Sequence, residues 1–208
     1  MEDCYLEKLK KSIKGRTFLY IDAANLEKSV SDIWVNAKDI PDELKGSIAE
    51  NLHYSVDYKE FKKTFSSLCD LKEIKFYTAD FETENHRKFL FFMNKKGYKL
   101  STKKVKNYKD HTVEHPHRKA NFDVEIAVDT ILKINKFDTL ILFSGDCDFE
   151  YLIKKLKGIS KIVIVFSRQG HIAKELPPAS SYYFDIIDFR KEFLKINIKK
   201  DKAKNPAI

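Results

Sequence analysis

Two carboxylates, Asp146 and Asp148, stand two residues apart in the stretch Ser144-Gly145-Asp146-Cys147-Asp148-Phe149, directly after the apolar run Thr139-Leu140-Ile141-Leu142-Phe143. A third, Asp22, closes a second apolar run, Phe18-Leu19-Tyr20-Ile21, and a fourth, Asp123, opens a segment of helical pattern. Taken singly, each has a plain structural reading. An Asp after a strand caps the next helix, and an Asp in a first helical turn is favoured by the helix dipole. Taken together they repel one another unless a cation lies between them. Hard oxygen ligands suit a hard divalent cation such as Mg²⁺ or Mn²⁺, which can acidify water and stabilise a leaving oxygen at a phosphodiester.

The elements that must position these acids follow from periodicity. Strands are expected over 17–21, 74–79, 98–101, 139–143, 161–166 and 183–187. Helices are expected over 5–14, 56–69, 84–96, 122–135, 149–157 and, briefly, 172–176. Gly97 is the expected C-cap of the 84–96 helix and Asn121 the N-cap of the 122–135 helix. Alternating strands and helices imply an α/β fold with a mainly parallel central sheet and helices on both faces. In open sheets of this kind ligands bind beyond the carboxyl ends of the strands, and neighbouring strands lie about 5 Å apart. Asp22 and the 146/148 pair can therefore share one ion. Asp129 follows Asp123 by six residues, about 600° of helix, so the two do not share a face. Its expected role is to orient a neighbouring group or to cap a buried polar contact.

The chain divides into a helical lead-in (1–16), a main domain (17–189) with an irregular insertion or lid over 26–51, and a basic tail (190–208). Its 208 residues carry a net charge of +8, unevenly spread. Between residues 95 and 119, nine lysines and arginines stand against two acids, and between 190 and 204 seven stand against two. Bases that hold phosphates beside acids that hold metal are what processing of a polyanion requires. Lys103, Lys104, Lys106, Lys109, Arg118 and Lys119 lead into the Asp123 helix and are the candidate nucleic-acid contacts. Tyr108 could stack on a base. His115 and His117, with His111 nearby, read as surface histidines. No apolar run reaches the ~20 residues a bilayer demands, and the first residues lack a secretory pattern. Three scattered cysteines fit neither a disulfide scaffold nor a structural zinc site, so a cytoplasmic setting is expected.

Three ordered motifs resemble the NYN domain family, the LabA-like branch of the PIN-like nuclease superfamily. They are Tyr20-Ile21-Asp22-Ala23-Ala24-Asn25-Leu26, then Lys119-Ala120-Asn121-Phe122-Asp123-Val124 with Ala127-Val128-Asp129, and then Ser144 to Phe149. The resemblance spans about residues 17–189. Ala23-Ala24 replaces a Gly-containing pair common in the family, which leaves the acid intact. The resemblance implies a PIN-like, Rossmannoid three-layer sandwich. It also implies a site in which Asp22, Asp123, Asp146 and Asp148 ligate Mg²⁺ or Mn²⁺. Asn25 would hold Asp22 or contact the scissile phosphate, and Ser144 would support the site through its hydroxyl. The implied activity is metal-dependent endoribonucleolytic hydrolysis of RNA, single-stranded or structured. A homodimer is compatible with it, and no membrane partner is expected.

The alternative is a catalytically weak RNA-binding or regulatory module on the same fold. The presence of all four acids favours the enzyme. A haloacid-dehalogenase-type site would place Asp-x-Asp after the first strand, where Ala23-Ala24 stands, and a TOPRIM-type site would place Glu at Asp22. Both fit less well.

Overall fold

A computed structural model of the chain describes residues 2–46, 51–104, 106–107, 118–119 and 121–198. In chain order the elements are α1 (Glu2–Ser12), β1 (Arg16–Asp22), α2 (Ala23–Ser31), β2 (Leu52–Val56), α3 (Tyr58–Leu68), β3 (Asp70–Asp80), α4 (Glu84–Lys95), β4 (Lys99–Lys104), β5 (Lys106–Asn107), β6 (Arg118–Lys119), α5 (Asp123–Leu132), β7 (Thr139–Phe143), α6 (Glu150–Gly158), β8 (Ile162–Ser167), α7 (Leu176–Ala179), β9 (Tyr182–Asp185), α8 (Arg190–Phe193) and β10 (Leu194–Ile198). Among the described residues no helix is long and apolar enough to cross a membrane.

β1, β7 and β8 are nearly unbroken apolar runs buried along their length, the pattern of strands covered on both faces. They form the middle of a six-stranded, wholly parallel sheet in the order β4-β3-β1-β7-β8-β9. Alternate side chains feed two cores. One holds Leu19, Ile21, Phe61, Phe65, Phe143 and Phe166 against α1 to α4 and α8. The other holds Tyr20, Tyr77, Leu142 and Val165 against α5, α6 and α7. The three-layer α/β architecture is thus the expected one. The strand order reverses between β1, which leads leftward to β3 and β4, and β7, which leads rightward to β8 and β9. Such a switch point opens a crevice at the carboxyl ends of the strands, and Asp22 and Ser144 flank it.

Several local expectations change. The 26–51 stretch is not irregular throughout, because its first part lies in α2, where Leu26, Val30 and the following Ile33 bury one helical stripe. Single 3-10 turns follow at Ala37–Asp39 and Asp42–Leu44. The tail is also structured as far as residue 198. Its α8 packs on α3, and β10 pairs antiparallel with β2, residue 194 opposite 56. Arg190 Nε donates to Asp39 Oδ2 at 2.7 Å and Tyr54 O–H to the same oxygen at 3.0 Å, which ties the insertion to the tail. α7 begins at Leu176, displaced from the expected 172–176 turn, with Pro in its first turn supplying a preset φ.

Candidate metal centre and its rim

Asp22 is the last residue of β1, 7% exposed, and it caps α2. Its Oδ1 accepts from the backbone N–H of Ala24 (3.1 Å) and of Asn25 (3.3 Å). The Asn25 amide Nδ2 donates to Asp22 Oδ2 at 2.6 Å, while Asn25 Oδ1 accepts from Gly145 N–H at 3.4 Å. Asn25 therefore ties the end of β1 to the loop after β7.

That loop is built by its own side chains. Ser144 is buried and its Oγ accepts from Asp146 N–H at 3.2 Å. Asp146 caps the turn that follows, its Oδ1 accepting from Asp148 N–H at 3.1 Å. One ligand atom from each of Asp146, Cys147 and Asp148 lies within 4.8 Å of the other two. The intervening Gly145 has no room for a side chain, since a Cβ there would lie 2.2 Å from the His171 carbonyl oxygen and 2.7 Å from Ser167 Oγ. Ala173 N–H donates to the Gly145 carbonyl at 2.9 Å, so the loop after β8 is clasped onto the acidic turn.

Asp123 opens α5, and its N–H donates to Asn121 Oδ1 at 2.8 Å. The capping group is thus Asn121, as expected, although Phe122 occupies the cap position itself. Asp123 Oδ2 is buried and has no hydrogen-bond partner among the described residues. Burial pushes the Asp123 carboxyl above the ordinary carboxylate range, against a lowering contact with Asn121, and the charges of Asp146, Asp22 and Asp148 push it further. Burial likewise raises Asp22 despite its three hydrogen bonds, with Asp146 adding to the rise. Among the described residues the group of ligand atoms lying within 4.8 Å of one another is Asp146, Cys147 and Asp148, and Asp22 and Asp123 are linked to it through the charges that help raise their carboxyls. This donor set fits a hard divalent cation. Between the two acids, desolvation and then the charges of Asp146 and Asp148 raise the Cys147 thiol.

Asp129 stands apart from this group. It pairs with Lys75 and accepts from Tyr77 O–H at 2.9 Å, both on β3 beneath α5. Lys133, just past the end of α5, reaches Glu73 Oε1 at 2.5 Å, and Tyr20 O–H donates to that oxygen at 3.0 Å. Lys103 holds the other end of the helix. Its Nζ donates to the Asn121 carbonyl at 2.8 Å, pairs with Glu125 and sits 5.1 Å from the Phe122 ring centroid. Lys103, expected to meet nucleic acid, therefore spends its charge on the helix that carries Asp123. Lys104 is exposed beside Glu82, at 2.8 Å. The backbones of Lys106 and Lys119, and of Asn107 and Arg118, pair antiparallel, so the basic segment begins and ends as a two-stranded ribbon between β4 and α5. Lys109, with Tyr108, His111, His115 and His117, lies outside the described residues.

The periodicity gave no notice of the rim formed after β8. Ser167 Oγ and one terminal nitrogen of Arg168, Nη1, are buried with no hydrogen-bond partner among the described residues. His171 Nε2 lies 3.1 Å from Asp32 Oδ2. The rule that selected Asp22 applies equally to Ser167 and Arg168, since both follow an apolar strand at the carboxyl edge of the sheet.

A parallel sheet with acids gathered at its switch point defines a class, and sequence comparison places the chain within it. The NYN domain family matches residues 16–188, and the chain belongs to that family. It is 33% identical over 133 residues to the Low amplitude and bright protein LabA of Synechococcus elongatus, an alignment covering 64% of this chain and 72% of that protein. Its fold is similar to the crystal structure of a protein of unknown function from Vibrio parahaemolyticus. The TM-score is 0.64 at 19% identity, covering 88% of this chain and 97% of the other.

Proposed function

We propose that the protein is a metal-dependent endoribonuclease that hydrolyses RNA phosphodiester bonds in the cytoplasm. The observation that carries this reading is Asp123, whose Oδ2 is buried with no hydrogen-bond partner among the described residues and whose carboxyl is raised by burial and, further, by the charges of Asp146, Asp22 and Asp148. Membership of a family grouped with PIN-like nucleases supports it. Asp22, Asp123, Asp146 and Asp148 would hold the ion. Mg²⁺ or Mn²⁺, when bound, supplies Lewis acidity toward water and phosphodiester.

The protein's own groups do the positioning. Asn25 gives one Nδ2–H to Asp22 and so orients that carboxylate, while the second hydrogen of the same amide is left for a phosphate oxygen. Ser144 fixes the Asp146 backbone, and Asp146 in turn fixes Asp148, so the two acids keep their spacing without substrate. Lys104, Lys106, Lys109, Arg118 and Lys119, from the basic segment that precedes the Asp123 helix in the chain, would supply positive charge for the RNA backbone. Raised carboxyls at Asp22 and Asp123 tie ion binding to pH, because ligation requires their deprotonated forms.

One observation favours the binding-module reading. Asp22 already accepts three hydrogen bonds, leaving about one of a carboxylate's roughly four lone-pair sites for an ion. Purified protein incubated with labelled RNA and with DNA, in Mn²⁺, Mg²⁺ or EDTA, separates the two. Cleavage of RNA that EDTA abolishes supports the enzyme. RNA bound tightly but uncut in either metal supports the module.

A further inference from the structure

Trp34 is the single tryptophan of the chain and is 83% exposed. Its neighbours along the chain offer little exposed apolar surface: Ile33 is buried in the core, Val35 packs against the core, and Asp32, Asn36 and Lys38 are exposed and polar. A lone aromatic plane in polar surroundings suits stacking on a nucleobase better than docking a protein, which would want contiguous apolar surface.

Contacts tie the segment that carries this residue to the loop beside the acidic turn. Gly170, at φ +87°, turns the chain after β8 so that His171 N–H reaches the Arg168 carbonyl at 2.9 Å. The His171 carbonyl then packs on Gly145, directly before Asp146, while its ring meets Asp32, two residues before Trp34. One histidine thereby joins the acidic turn, Arg168 and the Trp34 segment. Arg168, three residues before His171, brings a planar, permanently charged guanidinium whose Nη1 is buried with no acceptor among the described residues. Ser167 Oγ, also without a hydrogen-bond partner among the described residues, adjoins it in sequence.

We propose that Trp34 and Arg168 form a subsite for single-stranded RNA, Trp34 stacking on an unpaired base and Arg168 binding a phosphate beside it. The proposal rests on the ribonuclease reading for its substrate class, and it selects single strands because bases within a duplex are already stacked.

The lone tryptophan makes the test direct. The full chain carrying Asp146→Asn, in Mg²⁺, is titrated with dye-labelled oligouridylate while anisotropy and tryptophan emission are both read. Asn retains the capping role of Asp146, so this background keeps the turn. The expected result is quenching that follows binding for the single strand and is absent for a blunt RNA duplex. Trp34→Ala should weaken binding about 5- to 100-fold. Arg168→Gln should weaken it while lowering the salt slope by about one. Binding with unchanged emission, no binding at all, or Trp34→Ala and Arg168→Gln affinities equal to the parent overturns the subsite. So does an emission change that follows protein concentration without RNA, which would mean a second copy covers Trp34. Failure of wild type to cut RNA in Mn²⁺ while quenching persists refutes the enzyme reading and leaves the subsite standing.

Discussion

Asn25 and Gly145 lie 120 residues apart and meet across the switch point, Gly145 N–H donating to Asn25 Oδ1 at 3.4 Å. The same Asn25 side chain donates to Asp22 at 2.6 Å, so one amide sets the spacing between the acid of β1 and the acidic turn after β7. Asn25→Ala removes both contacts without touching an acid. It should lower cleavage and divalent-ion affinity by about 10–100-fold, the usual effect of losing a group that orients a ligand. Asn25→Asp should be worse, because it replaces a donor with another negative charge. Ion titration calorimetry alongside a cleavage assay checks both.

Asp123 and Asp22 have carboxyls raised mainly by burial. A group whose folded value exceeds its unfolded one contributes stability that is complete below the unfolded value, about 3.9 for Asp, and lost as pH rises through the folded value. The ion-free protein should therefore lose stability from these two groups as pH rises from about 4 toward neutrality. Asp123→Asn should flatten that dependence and raise Tm in EDTA near neutral pH. Mn²⁺ should stabilise wild type and leave the variant little changed. Thermal melts across pH, with and without ion, provide the measurement.

Gly145→Ala puts a methyl 2.2 Å from the His171 carbonyl, a backbone atom that cannot swing aside. Overpacking of this kind costs about 1–3 kcal/mol. Because the displaced loop adjoins Asp146, cleavage should fall by more than the stability loss accounts for. Denaturant melts and single-turnover cleavage of the same preparation compare the two effects.

Asp129→Ala strands the mostly buried Lys75 ammonium and the Tyr77 hydroxyl beneath α5. Breaking such a pair should cost about 2–4 kcal/mol, somewhat below the fully buried limit because both partners retain some exposure. The double variant Lys75→Met with Asp129→Leu should recover most of it. Urea unfolding of the single and double variants tests this, and equal losses in both would contradict a simple unpaired-charge cost.

The strand ends carrying Asp22 and Ser144 to Asp148 could be read in advance because β1 and β7 are continuous apolar runs that stop where the acids begin. The start of the Asp123 helix could be read from Asn121. Contacts between distant segments could not. Local pattern gives no hint that Leu52–Val56 would pair with Leu194–Ile198, or that the loop after β8 would close on Gly145. In α5 the pattern is misleading. Val124, Val128, Ile131 and Leu132 fall at helical spacing yet are exposed, while the opposite side buries Phe122 and Ile126 and pairs Asp129 and Lys133 with Lys75 and Glu73 of β3. Lys103 likewise looks like a free base until its partners on the Asp123 helix are seen.

The claim that the acidic turn holds a working ion is tested most directly by Asp146→Asn. Labelled RNA is incubated with wild type and with the variant over a Mn²⁺ titration, with EDTA as the zero point. The account predicts wild-type cleavage that rises with ion and vanishes in EDTA, and a variant at least about 100-fold slower, as losing several kcal/mol of ion-borne stabilisation requires. Cleavage that persists in EDTA, or that Asp146→Asn leaves undiminished, would contradict it.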